Sequence, residues 1–232
     1  MSNVPAPSKA PGRAVLIAGL LCIIIFLVVT ALVFSGTTQS WDAALALAVN
    51  GAYFGGAFNQ LMVFATDYGR EYFWIGVVAV MLLVGRPRTR LLALELAILF
   101  VVGILVGDGL KAVLFRDRPF ETLSGIVLRI AQDPDSSFPS GHALIVSLGA
   151  TFALVSFRRK WVAGLLTVEA ALVCYSRIYL GAHYPLDVLG GILVGAGIAL
   201  VGYFVLERYF GPVLARLERL VARVLRKGLI EL

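Results

Sequence analysis

Six stretches of this chain are apolar over something near 20 residues, the length a helix needs to cross the roughly 30 Å hydrocarbon core of a bilayer. They run near 14–35, 72–85 with a less regular lead-in from about 59, 91–115, 142–157, 161–180 and 186–207. With that many candidate spans in 232 residues, a soluble globule is excluded. The composition agrees: 59% hydrophobic residues against 15% charged leaves too little charge for a soluble surface and too much apolar side chain for a disordered, collagen-like or disulfide-stapled chain. The expected fold is all-α and integral to the membrane, with six transmembrane helices. The second and fourth stretches are short, so their helices are expected to extend into the neighbouring loops. No internal repeat or low-complexity linker divides the chain.

The first stretch has features of a secretory signal, because Lys9 and Arg13 precede it and Ser35 and Gly36 follow. Its apolar run of about 22 residues exceeds the roughly 7–15 of a signal core and predicts an uncleaved anchor. Six spans place both termini and two connections on one side. Lys9, Arg13, Arg86, Arg88, Arg90, Arg158, Arg159, Lys160 and the six basic residues of the tail fall there, 14 of the 20 in the chain. The positive-inside rule then makes both termini cytoplasmic and turns loops 36–70, 116–141 and 177–185 outward. This distribution accounts for the net charge of +6 without nucleic acid as a partner. Cys22 and Cys174 lie within apolar runs and read as small buried hydrophobes.

Three polar clusters interrupt the pattern, each at the outward end of a span. Lys111 to Arg118-Pro119 closes the third span, Pro139-Ser140-Gly141-His142 opens the fourth, and Ser176-Arg177, His183 and Asp187 join the fifth to the sixth. Spans four and five bring the chain back to the surface it left, so the only two histidines, His142 and His183, can meet. Lys111, Arg118 and Arg177 would converge with them, and three fixed cations call for an anion such as phosphate. Ser140 and Gly141 stand at a helix start, where free N–H groups favour the same charge. Gly141 admits a close approach, and Ser140 offers a hydroxyl. His183 and Asp187 share a helix face at i, i+4 if span six begins near Pro185. A carboxylate that accepts one imidazole N–H leaves the other nitrogen free to attack phosphorus. This makes His183 the nucleophile, with His142 as general acid and then general base. No metal and no cofactor is called for.

Together these residues resemble the type 2 phosphatidic acid phosphatase superfamily, whose pattern is K-x6-R-P, then P-S-G-H, then S-R-x5-H-x3-D. The chain reads Lys111-x6-Arg118-Pro119, Pro139-Ser140-Gly141-His142 and Ser176-Arg177-x5-His183-x3-Asp187, over residues 111–187. The resemblance implies a six-span helical core, His183 as phosphoryl acceptor oriented by Asp187, His142 as acid, and phosphate held by Lys111, Arg118, Ser140, Gly141 and Arg177. The stretch from Asn59 to Tyr68, Arg118-Pro119-Phe120 and the stretch from Asp135 to Ser140 look similar to bacitracin-resistance-type undecaprenyl diphosphatases. A polyprenyl diphosphate, hydrolysed at the outer face of the cell membrane, is therefore the first expectation. Phosphatidic acid or phosphatidylglycerophosphate as substrate, transfer of phosphate to an acceptor lipid, and a non-enzymatic lipid-phosphate transporter or binding protein are the alternatives. Oligomeric state is left open by the sequence.

The remaining features carry plainer expectations. Glu169, in mid-span, is expected to pack protonated or hydrogen-bonded; Asp108 to hold Lys111; Gly191 and Gly195 to pack helices closely. Residues 1–12 are expected to be a disordered cytoplasmic tail, 13–210 the six-span domain, and 211–232 an amphipathic basic helix on the inner leaflet. Segment 36–58, with Trp41, is expected to lie at the interface and guide lipid entry.

Overall fold

The computed structural model describes residues 11–132 and 134–228, with side chains described as far as Val224. Apart from Pro11 and Gly12, the tail expected to be disordered lies outside the described residues, as do the side chains of Leu225, Arg226 and Lys227. Among the described residues every regular element is helical: α1 Arg13–Phe34, α2 Gln39–Gly51, α3 Gly56–Gly69, α4 Glu71–Leu83, α5 Pro87–Val113, α6 Pro119–Thr122, α7 Gly141–Ser156, α8 Lys160–Tyr179, α9 Pro185–Val205 and α10 Gly211–Gly228. A π-helical turn, Leu206–Phe210, carries α9 directly into α10.

Among the described residues, four helices are long and apolar enough to cross a bilayer: α1, α5, α8, and α9 with its continuation. The other two expected spans are shorter, and they depart from expectation in different ways. α4 does gain length on its N-terminal side, because α3 runs into it with only Arg70 between them. α7 gains none. Ser140 caps its start, and Phe157 turns extended at its end, leaving 16 residues, about 24 Å at 1.5 Å per residue.

α7 is the centre of the bundle, with residues buried all around its circumference. It meets α9 where a Cβ at Gly191 or Gly195 would overlap the carbonyl oxygens of Ser140 and Leu144, so this pair has the close-packing role expected of it. Trp74 of α4 lies over Gly149 of α7 and against Phe100 of α5, and Phe152 of α7 meets Tyr203 of α9 edge-on. α1 packs along the far side of α9. Glu169 is partly buried against Gly69 of α3, with the Trp74 indole as its polar neighbour.

The two ends of the bundle differ in chemistry. At one end Arg88 pairs with Glu207, and Arg90 lies 3.7 Å from Glu218, which fastens α10 to the start of α5. α10 buries Leu214 and leaves Val213, Leu217, Leu220 and Val224 exposed as a stripe among Arg216, Arg219 and Arg223. At the opposite end the C-termini of α5 and α8 meet the N-termini of α7 and α9, and the polar clusters gather there. In segment 36–58, expected to lie at the interface, α2 occupies most of the length, leaves Trp41 exposed and buries Asp42 and Asn50 in the protein.

Candidate active site

Local backbone geometry brings Arg177 and His183 to one place. α8 ends at Tyr179, and Gly181 takes the left-handed conformation (φ 82°) that reverses the chain at little steric cost. The N–H groups of Ala182 and His183 then both donate back to the carbonyl of Arg177, at 3.1 and 3.2 Å. α9 starts at Pro185, where the missing N–H costs nothing, and its third residue, Asp187, caps it by accepting from Tyr184 N–H at 2.8 Å. The five-residue and three-residue spacings around His183 are thus the lengths of a helix exit and a helix entry.

The orientation of His183 differs from expectation. Its Nδ1 lies 2.8 Å from the main-chain oxygen of Ser137 and 3.7 Å from Asp187 Oδ2, so the imidazole N–H donates to the carbonyl. Asp187 is already occupied: Oδ2 accepts from Ser137 Oγ at 2.6 Å and from Tyr184 N–H, and Oδ1 accepts from Arg116 Nη1 at 2.6 Å. Asp187 therefore fixes the ring through Ser137 rather than by direct contact. Ser136 in turn fixes that strand of loop: its hydroxyl donates to Leu114 O at 2.8 Å and accepts from Arg116 N–H at 3.1 Å. With Nδ1 protonated, Nε2 carries the lone pair, and it lies 3.4 Å from Arg118 Nη1. Burial, then the charges of Arg177, Arg118 and Lys111, hold His183 well below the ordinary histidine pKa, so the ring is neutral.

The three cations expected to bind phosphate do converge. Arg118, fully buried, donates from Nη1 to Ala182 O at 3.0 Å and from Nε to Asp135 O at 3.1 Å, and its Nη2 pairs with the Asp135 carboxylate. Lys111 Nζ lies 2.6 Å from the other oxygen of the same carboxylate, so Asp135 bridges the two. Although burial opposes it, the contacts from Lys111 and then Arg118 bring the Asp135 carboxyl below its usual range. Asp108, expected to hold Lys111, lines the same cleft as Lys111 and Asp135. Arg177, also buried, donates to Thr66 Oγ1 of α3 at 2.7 Å. Ser140 is fully buried, and its Oγ accepts from Ala143 N–H as the N-cap of α7. Gly141 faces Lys111 and Arg70, with ordinary contact space around it. His142 stands next on α7, and the charges of Arg177, Arg70 and Lys111 and the ring of His183 all bear on it.

All eight predicted site residues thus stand in one region. Sequence reasoning missed Asp42, Arg70, Arg116, Asp135, Ser137 and Thr66. Arg116 lies inside the x6 of the first motif, where it bridges Asp187 and Asp42 at 2.6 and 2.7 Å and covers the Tyr184 ring at 4.0 Å. Asp42 also accepts from Leu186 N–H at 2.9 Å, which explains why α2 is drawn inward. The signal that could have found this pair was charge: Asp42 is a carboxylate with no partner within its own helix, and Arg116 is an extra cation between two motif positions.

The family model described as the PAP2 superfamily matches residues 90–210, which includes every motif. An undecaprenyl-diphosphatase of Sulfolobus acidocaldarius is 46% identical over 144 residues, covering 62% of this chain and 68% of that one. The undecaprenyl-diphosphatase BcrC of Bacillus subtilis is 30% identical over 169 residues, 72% of this chain and 81% of its own. In three dimensions the chain is similar to the crystal structure of a transmembrane PAP2-type phosphatidylglycerolphosphate phosphatase from Bacillus subtilis. There the TM-score is 0.65 at 25% identity, covering 84% of this chain and 96% of that one.

Proposed function

The chain belongs to the PAP2 superfamily and is a multi-pass membrane lipid phosphatase, and from that premise we propose that it hydrolyses a polyprenyl diphosphate through a phosphohistidine intermediate at the outer face of the membrane. The observation that carries the mechanism is the neutral, buried His183, its Nδ1–H committed to Ser137 and its Nε2 turned toward the cations. Binding alone would need the cations but not an oriented nucleophile, which disfavours a transporter or binding protein. The substrate class is supported by the undecaprenyl-diphosphatase relatives.

In the proposed reaction Lys111, Arg118, Arg177 and the N-terminus of α7 hold the terminal phosphate, with Asp135 giving up its place between the first two. Nε2 of His183 attacks phosphorus, the bond to the bridging oxygen breaks, and His142 gives its proton to that oxygen. Water then attacks the phosphohistidine, His142 takes its proton, and the P–N bond breaks to release inorganic phosphate. The cations stabilise charge on the equatorial oxygens in both steps. The outward direction follows from the basic residues, which gather at the bundle end away from the site and belong on the cytoplasmic side. In this arrangement all six apolar stretches span, both termini are cytoplasmic, and the exposed stripe of α10 rests on the inner leaflet.

The test is phosphate release by the purified protein in detergent from undecaprenyl diphosphate, phosphatidic acid and phosphatidylglycerophosphate, beside His183→Ala and His142→Ala. The diphosphate is expected to be preferred and both variants to be inactive, with acid-labile phosphate trapped on the wild type alone. Preference for a glycerolipid would replace the substrate and keep the mechanism; normal turnover by either variant would remove the mechanism.

A further inference from the structure

Arg70 occupies the break between α3 and α4, beside the predicted site but outside every motif. It lines a cleft with Lys111, Asp135 and Gly141, whose apolar lining includes the exposed Ile104 and the buried Leu144. Its guanidinium carbon lies 4.0 Å from the position a Cβ would take on Gly141, and Lys111 Cε lies 3.9 Å from the same point, so the two cations flank the N-terminus of α7. Its charge also bears on His142. Unlike Arg116, held by two buried carboxylates, and Arg118, held by the carbonyls of Ala182 and Asp135 as well as the Asp135 carboxylate, Arg70 has a loose partner. Its Nε lies 3.5 Å from the carboxylate of Glu71, a side chain 60% exposed, and this buried nitrogen donates no hydrogen bond to any described residue.

A diphosphate presents two charged groups in line. The terminal phosphate needs the deep cations around His183, and the inner phosphate, still attached to the lipid, must then lie on the leaving-group side beside His142 and nearer the apolar wall. We propose that Arg70 binds this inner phosphate and makes the site selective for a phosphoanhydride over a phosphomonoester. This rests on the diphosphatase reading above. The chemistry distinguishes the two substrates. Cleaving an ester releases an alkoxide, for which the proton from His142 is the main requirement. Cleaving an anhydride releases a lipid monophosphate, whose extra negative charge develops where the Arg70 guanidinium stands. The carboxylates facing the cleft do not cancel this effect. Asp135 is paired to Lys111 and Arg118, Asp108 is exposed, and the Glu71 side chain is 60% exposed and does not line the cleft.

The experiment compares Arg70→Gln and Arg70→Lys with the wild type, using the full chain in detergent, on farnesyl diphosphate and on phosphatidic acid, with inhibition by inorganic phosphate as a measure of the terminal-phosphate site. For Arg70→Gln, kcat/KM on farnesyl diphosphate is expected to fall on the order of 10- to 100-fold, the range of one charge-assisted hydrogen-bond pair. On phosphatidic acid the loss should stay within about threefold, and phosphate inhibition should hold within about twofold. Arg70→Lys should recover part of the diphosphate activity. An equal loss on both substrates, a parallel loss of phosphate inhibition, or no loss on either would overturn the assignment while leaving the diphosphatase reading intact. A wild-type protein that cleaves phosphatidic acid and not farnesyl diphosphate would overturn both.

Discussion

Arg116 grips Asp187 from the oxygen that His183 does not face: Nη1 donates to Oδ1 at 2.6 Å, while Oδ2 accepts from Ser137 and Tyr184. The carboxylate is thereby satisfied on both oxygens by groups from three segments of chain. Because Arg116 is itself held by Asp42 and the Tyr184 ring, the position of Asp187 depends on a buried charge network and not on α9 alone. Arg116→Met is expected to lower kcat by about 10- to 100-fold and to change KM by less than about threefold, since it disturbs the orientation of the nucleophile and not the phosphate cations. Arg116→Lys should restore part of kcat. Steady-state kinetics on the diphosphate decide the point, and a variant that loses KM and keeps kcat would place Arg116 among the binding groups instead.

Ser137 contributes through two different atoms. Its main-chain oxygen holds the His183 ring, and its hydroxyl hands the position on to Asp187. Ser137→Ala keeps the carbonyl, so kcat is expected to fall only about 3- to 10-fold, the scale of one hydrogen bond. A direct pairing of His183 with Asp187 would leave the same variant close to wild type, and complete inactivity would show that the hydroxyl itself takes part in the reaction.

How far the sequence revealed this site can be judged from these residues. The helices were legible because lipid demands long apolar runs, and the eight motif residues because catalysis on phosphate demands histidines and cations at helix ends, where the spacing is set by helix exits and entries. Asp42, Arg116 and Ser137 were not legible. Asp42 and Arg116 meet across 74 positions of sequence, and Ser137 acts mainly through a backbone oxygen, which every residue possesses. The assignment of the His183 proton to Asp187 failed for the same reason. An i, i+4 spacing shows that two side chains share a face, but not which competing acceptor lies nearer. α7 is shorter than expected because the polar cap at Ser140, which also lies at the proposed phosphate site, stops the helix from growing.

Asp135 stands between Lys111 and Arg118 in the free protein, on the ground assigned to the terminal phosphate. An anion entering the site must displace it or share its cations. Removing its charge with Asp135→Asn is expected to tighten inhibition by inorganic phosphate by roughly 3- to 10-fold at low salt, with the gain shrinking as ionic strength rises. Because Asp135 is held below the usual carboxylate range, it stays ionised through the neutral range, and the difference between variant and wild type should be flat from about pH 6 to 8. Weaker phosphate inhibition in the variant would mean that Asp135 chiefly positions Arg118.

The pH profile supplies a check on the nucleophile. Protonated His183 would be a buried cation facing Arg177, Arg118 and Lys111, so both desolvation and repulsion favour the neutral ring, and its pKa lies well below the ordinary value of about 6.5. The acid limb of kcat/KM that reports loss of the nucleophile should therefore fall well below pH 6.5. Lys111→Met removes one of the three charges. Protonation of His183 then becomes easier, its pKa rises, and the limb should move toward neutrality. The variant is consequently expected to lose more activity relative to wild type as the pH falls, in addition to a pH-independent loss from weaker phosphate binding. Initial rates measured from about pH 4.5 to 8 separate the two effects. A limb that stays in place would show that burial alone sets the nucleophile, and a limb that moves to lower pH would contradict the electrostatic arrangement around His183.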